Sequence, residues 1–161
     1  MEKNFEIDNI DLRILSELVN NAKTPFTEVA DKVFVSGGTV HVRMKKLEKL
    51  GIVKGSSLVI DYDKLGYNVT AFLGIYLEKN SFYDAVAAQL EQISEIMTLH
   101  YTTGTYNLFA KIICKDTKHM RDVLHNKIQK IDGIERVEAF ISLEEKFDRA
   151  PSMRYLESPE N

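Results

Sequence analysis

The sequence predicts an α+β chain in which three short helices, arranged as a helix-turn-helix, precede a ferredoxin-like βαββαβ domain. Three observations carry this. The first 53 residues place apolar side chains at helical spacing between short polar connections. From Lys54 the pattern changes to runs of β-branched and aromatic residues, interrupted by two helical segments in the split order β-α-β-β-α-β. Finally, 161 residues at 44% hydrophobic content suffice for one medium domain or two small ones.

Each element has a local reason. Asp8 can cap the first helix, with Asp11 in capping-box position and Ile10, Ile14, Leu15 and Leu18 at helical spacing; Asn20-Asn21 can end it. Thr24-Pro25 reads as a cap followed by proline at the first helical position of a second helix, whose apolar face is Val29, Ala30 and Val33. Ser36 caps a third helix that runs to about Leu50 and stops at Gly51. "GSSLVIDY" reads as a strand leading to a connector at "DKLGYN", and "VTAFLGIYLE" as a second strand. Ser81 to Ile93 is helical, with Phe82, Val86, Leu90 and Ile93 on one face. "IMTLHYTT" and "NLFAKIIC" are strands joined through Gly104-Thr105-Tyr106. Asp116 to Ile131 is helical up to Gly133, and "RVEAFISLE" is the last strand. The boundaries that follow are 1–53 for the helical domain, 54–68 for a linker, 69–146 for the ferredoxin-like domain and 147–161 for a tail.

The strands carry a further message. Val69, Ala71, Leu73, Ile75 and Leu77, with Leu108, Ala110, Ile112 and Cys114, should meet the two helices. Yet Phe72, Tyr76, Phe109, Ile113 and Phe140 make the opposite face apolar too, where an antiparallel sheet facing water should be polar. A second copy related by a two-fold axis is the simplest cover; the N-terminal helices are the alternative.

Composition excludes several classes. The formal net charge is -3, so any nucleic-acid contact must come from a local patch. The single cysteine, Cys114, permits no intrachain disulfide. The beginning "MEKNFEIDNID" does not read as a signal peptide, and no run approaches the ~18 apolar residues of a membrane span. A soluble cytoplasmic protein is expected. The four histidines show no metal-ligand spacing with cysteine, and no phosphate-loop or nucleophile motif is present.

The third helix, "SGGTVHVRMKKLEKLG", holds the strongest functional signal. At 100° per residue, Val40, Met44 and Leu47 form the buried stripe, and Val42, Lys45, Lys46 and Lys49 fall within ~60° of the opposite direction. A charge run on a helix is often a solvated face, but this one follows a short turn, Phe34-Val35-Ser36, after another helix. In a helix-turn-helix the second helix lies in the DNA major groove and reads bases with its first residues. Gly37 and Gly38 would then leave little bulk at the leading tip, where backbone N–H groups after Ser36 can face a phosphate. Thr39, His41 and Val42 would read bases, Val42 through a thymine methyl, while Lys45, Lys46 and Lys49 grip phosphates. Arg43 lies ~60° from Val40, so an internal ion pair or a phosphate contact fits it better than base reading.

Taken together, "IDNIDLRILSELVNNAKTPFTEVADKVFVSGGTVHVRMKKLEKLGIVKG", "DKLGYNVTAFLGIYLE", "HYTTGTYNLFAKIIC" and "NKIQKIDGIERVEAFISLEE" resemble the Lrp/AsnC family of bacterial and archaeal transcription regulators over residues 6 to 146. Phrases such as "TVHVR", "LGY" and "YTTG" point to its asparagine-responsive branch. The resemblance implies a winged-helix-type DNA-binding domain, a β-linker and a ferredoxin-like effector-binding domain called RAM. It further implies a homodimer through the sheets, often assembled to an octamer, and no cofactor beyond a small amino acid effector, with L-asparagine the first candidate. That effector would bind between dimers and change assembly or the affinity for double-stranded DNA.

Two departures stand out. The turn of the motif usually has glycine where this chain has Phe34, so the turn differs or Phe34 packs, and the third helix often starts Ser-Pro rather than Ser36-Gly37. For the effector, the loop Thr102–Asn107 offers N–H donors for a carboxylate and oxygens for an ammonium; Gly104 permits close approach, Thr102, Thr103 and Asn107 supply polar groups, and Tyr101 and Tyr106 are candidate walls. Many family members place aspartate at the position of Asn107. By resemblance, Gln129 could reach a polar ligand side chain, including from a neighbouring subunit. A plain hairpin turn is the alternative for this loop. Two rival functions remain: an enzyme like those relatives that decarboxylate sirohaem, and an architectural protein that wraps DNA with little sequence preference.

Overall fold

The computed structural model describes residues 7–152. The chain divides into two compact units, one comprising residues up to Val59 with those from Phe147 on, the other Ile60–Lys146.

In the first unit, α1 (Asn9–Asn20) starts from Asp8, whose side chain accepts from the Asp11 N–H at 2.9 Å while the Asp11 carboxylate accepts from the Asp8 N–H at 3.2 Å, a complete capping box. Helix α2 (Phe26–Val33) starts one residue later than Thr24-Pro25 suggested. Thr24 does not cap it: its hydroxyl donates back to the Asn21 carbonyl, and Pro25, still extended, supplies the first carbonyl of the helix. Ser36 does cap α3 (Gly37–Lys49), accepting from the Thr39 N–H at 3.1 Å. At its other end Gly51, at φ +71°, bonds back to Glu48 and Ile52 to Leu47, the paired bonds of a Schellman stop. Ile14, Val29, Ala30, Val33 and Val40 form the core, with Ile10, Leu18, Phe26, Val35 and Met44 packed on it.

The stretch "GSSLVIDY" is not a strand. Leu58 and Val59 stand exposed with no neighbouring strand to bond, and the first regular structure after α3 is a 3-10 turn at Asp63–Leu65. A ladder requires a partner, and β propensity alone supplies none.

The second unit runs β1 (Val69–Leu77), α4 (Tyr83–Glu91), β2 (Ile96–Tyr101), β3 (Leu108–Cys114), α5 (Thr117–Val123) and β4 (Ile134–Ile141). Before α4 lies a 3-10 turn, Asn80–Phe82, and α5 continues into a wider π turn, Leu124–Ile128. The sheet is antiparallel in the order β2-β3-β1-β4, with Leu73 opposite Ala110 on one side and Ala139 on the other. Ala71, Leu73, Ile75, Leu108, Ala110, Ile112 and Cys114 are buried against Val86, Leu90, Met120, Val123 and Ile128 of the helical layer. The opposite sheet face is aromatic, as the alternation predicts: Phe72 and Phe109 stack at 5.9 Å, Tyr76 and Phe140 flank them, and no helix of this unit covers it. Gly133, at φ +94°, leads into β4; a Cβ there would strike the Phe82 ring.

Candidate functional site

In the first unit, the side of α3 away from the core is basic and open. His41, Val42, Lys45 and Lys49 are exposed, Val42 to 67%. Lys45 and Lys49 have no ion-pair partner among the described residues. Gly38 is exposed and Gly37 half-buried; a Cβ at either would meet only ordinary van der Waals neighbours, so internal packing does not call for glycine there. The Ser36 and Thr39 hydroxyls lie 2.9 Å apart at the tip, and the His41 ring tilts against Phe26 at 6.1 Å.

Two of the basic residues are differently engaged. Arg43 Nη1 donates to both Asp8 oxygens, at 2.6 and 2.7 Å, and to Asp11 at 2.8 Å. Lys46 Nζ donates to the other Asp11 oxygen at 3.0 Å. Asp11 is fully buried, the only buried charged residue among those described. Burial pushes its carboxyl up, but the Arg43 and Lys46 bonds and the Asp8 N–H outweigh that and hold it below the ordinary carboxylate range. Asp8 is likewise lowered: burial raises it, and Arg43 with the backbone donors prevails. Lys46 is therefore tied to the body of its own unit, whereas Lys45 has no such partner among the described residues. The sequence held a signal for this tetrad: acids three apart at the start of α1, the cap Asp8 and Asp11, match bases three apart on α3, Arg43 and Lys46.

The turn before α3 is also explicit. Phe34 adopts the left-handed conformation (φ 59°, ψ 46°) that glycine usually fills, and its ring is 85% exposed, with the Arg13 guanidinium 6.0 Å from its centroid. The turn keeps its geometry; Phe34 takes the strain and does not pack inward.

In the second unit, the loop Thr102–Asn107 closes on itself: the Thr102 N–H bonds the Asn107 carbonyl at 3.1 Å, and the Thr102 hydroxyl donates to the Tyr106 carbonyl at 2.7 Å. Thr103, Gly104 and Thr105 project from it, exposed, with Gly104 at φ +105°. Asn107 fastens the loop: its oxygen accepts from the Leu77 N–H and its amide donates to Asn80, both at 2.9 Å. Tyr101 tilts onto Tyr83 of α4 at 4.6 Å. Tyr106 turns the other way. Its ring crosses Gly74 on the open aromatic face, near Tyr76 at 5.2 Å and Phe109 at 6.0 Å, and its hydroxyl donates to Glu138 at 2.9 Å. Gln129 sits apart, 3.4 Å from His125, in a groove lined by Thr117, Met120, Leu124 and Ile141 that includes no loop residue. Glu138 and Gly74, the supports of Tyr106, carry no motif that sequence reading alone picks out.

Elsewhere, Glu95 accepts both Lys127 bonds, at 2.7 and 2.8 Å, and faces His119 at 3.1 Å. Burial pushes this carboxyl up, yet Lys127, a backbone N–H and His119 bring it down to about 2. Among the described residues no cluster of three or more potential ligands could hold a metal ion, and no helix is long and apolar enough to cross a membrane.

Comparisons with known proteins agree with this architecture. Residues 70–151 match the profile of the Lrp/AsnC ligand binding domain, and residues 7–54 that of the winged helix-turn-helix DNA-binding family. Regulatory protein AsnC of Haemophilus influenzae is 41% identical over 138 residues, 86% of this chain and 92% of its own. The Escherichia coli K12 protein of the same name is 40% identical over 142 residues, 88% of this chain and 93% of its own. The structure of E. coli AsnC superposes with a TM-score of 0.85, covering 91% of this chain and 98% of that one. A Neisseria meningitidis transcriptional regulator solved with L-Met shares the fold alone, at 19% identity and a TM-score of 0.84.

Proposed function

Since this chain belongs to the Lrp/AsnC family of DNA-binding transcription regulators, we propose that it recognises operator DNA through α3 and that a small amino acid tunes its assembly or DNA affinity. The observation that carries the reading is the outward side of α3, where Lys45 and Lys49, without an ion-pair partner among the described residues, stand beside exposed Val42 and His41. Thr39, His41 and Val42 face bases, and Ser36, Gly37 and Gly38 bring the helix tip against a phosphate. Lys45 and Lys49 bind phosphates; Arg43 and Lys46 add to them only as far as Asp8 and Asp11 allow.

The effector site is the Thr102–Asn107 loop. Thr103 and Gly104 are its open polar groups, with Thr102 and Asn107 holding its shape and Tyr101 and Tyr106 at its flanks. Gln129 reaches a ligand only from a neighbouring subunit, because within one protomer it lines a separate groove. L-Asparagine is the first effector to test, given the similarity to proteins named AsnC. The aromatic sheet face fits a second copy, giving a cytoplasmic homodimer that can assemble further, to an octamer as the family resemblance implies.

The test has two arms. A Lys45→Ala/Lys49→Ala protein should bind all duplexes more weakly, with a salt slope flattened by about 0.9 for each phosphate no longer neutralised; an unchanged slope removes these lysines from the interface. Calorimetry against the twenty amino acids, repeated with Gly104→Val, should lose the effector signal while DNA binding survives. A wild-type response from Gly104→Val would place the effector elsewhere.

A further inference from the structure

Four charged groups meet where the start of α1 reaches α3: Asp8, Asp11, Arg43 and Lys46. Their formal charges cancel, two negative against two positive. The groove they border, about 670 Å³, is lined by Asp8, Ser36, Gly38, Thr39, Val42 and the two bases, so it opens onto the same helix tip that the DNA reading assigns to the duplex. The two acids differ in kind. Asp11 is fully buried, whereas the Asp8 side chain is 53% exposed. Arg43 uses only Nη1 on the carboxylates; its side chain is 22% exposed and no buried side-chain nitrogen among the described residues lacks a partner, so its remaining N–H groups face solvent.

We propose that Asp8 is an affinity-setting residue: by holding Arg43 at the lip of this groove it cancels a cation that would otherwise bind a DNA phosphate. This rests on the DNA-facing assignment of α3. Each phosphate neutralised by a protein cation releases counterions, and a cation already neutralised by a carboxylate releases few. Lys46 is cancelled likewise, but by Asp11, which is fully buried and supplies half of the α1 capping box, so its removal also weakens the fold. Asp8 can be removed cleanly, because asparagine and serine cap a helix about as well as aspartate. The arrangement lets the chain keep two bases on its reading helix for structural purposes while limiting its grip on arbitrary duplex.

Asp8→Asn tests this, with Asp8→Ser as a second variant, both checked for an unchanged helical circular dichroism spectrum. Binding to an operator fragment and to a scrambled duplex is measured from 50 to 200 mM salt. Both variants should bind both duplexes more tightly at low salt and lose affinity faster, the slope steepening by about 0.9, which is about 3- to 4-fold extra loss over that range. An unchanged slope, or weaker binding, in the two well-folded variants overturns the proposal; weaker binding would mean that Asp8 aims Arg43 instead. Wild type in the same titration separates the two readings. If it ignores both duplexes even in dilute salt, the assignment of α3 itself fails.

Discussion

Replacing Asp11 by alanine should weaken the first unit by about 2–3 kcal/mol and leave the second untouched. Asp11 is fully buried, accepts from Arg43 at 2.8 Å and Lys46 at 3.0 Å, and supplies half of the α1 capping box. Removing one member of a buried ion pair costs about 3–5 kcal/mol when its partner is stranded. Here the partners are not fully stranded. The Arg43 and Lys46 side chains are 22% and 39% exposed, so water recovers part of what the carboxylate gave, and the expected loss falls accordingly. A unit of this size has about 2.5–8 kcal/mol in total, at ~0.05–0.15 kcal/mol per residue, so the loss is a large fraction. Urea unfolding at fixed protein concentration can follow the two units separately. The chain has no tryptophan, and every described tyrosine, from Tyr62 to Tyr106, lies in the second unit. Helical circular dichroism weights α1–α3; tyrosine fluorescence, read in a Tyr155→Phe background, reports the second unit. The helical transition should move to lower urea while the tyrosine transition stays. A helical shift worth less than about 0.5 kcal/mol would place this pair with surface ion pairs and refute a structural role for the buried carboxylate.

Two further outcomes follow from the geometry. Glu95, held down to about 2 from its ordinary 4.5, contributes stability that is present above pH 4.5 and lost as pH falls through 2. Glu95→Gln should therefore remove a component of order 2–3 kcal/mol from the acid sensitivity of the tyrosine transition; identical acid profiles would contradict it. Phe34→Gly should be stabilising by up to about 1 kcal/mol, because relief of ~1–2 kcal/mol of left-handed strain exceeds the added freedom of the unfolded chain. A loss beyond about 0.5 kcal/mol in thermal unfolding would show that the Phe34–Arg13 pairing outweighs the strain.

What could be read from sequence was local. The Asp8 capping box, the Ser36 cap and the Gly51 stop depend on residues three or four apart, and the alternation in "VTAFLGIYLE" directed its side chains correctly. What could not be read depends on distant partners. "GSSLVIDY" has strand composition, but no strand lies beside it. The burial of Asp11 requires α3, more than thirty residues on, to deliver two cations. The loop residues were legible as a group, but the opposite directions taken by Tyr101 and Tyr106 are set by Tyr83 on one side and Gly74 on the other.

Tyr106 has its backbone in the loop and its ring among the sheet aromatics, where the missing side chain of Gly74 gives it a seat and Glu138 anchors its hydroxyl. It is thus a crank between two surfaces. A side chain added at Gly74 would unseat that ring, and the disturbance would reach the Thr102–Asn107 loop through the backbone of a single residue.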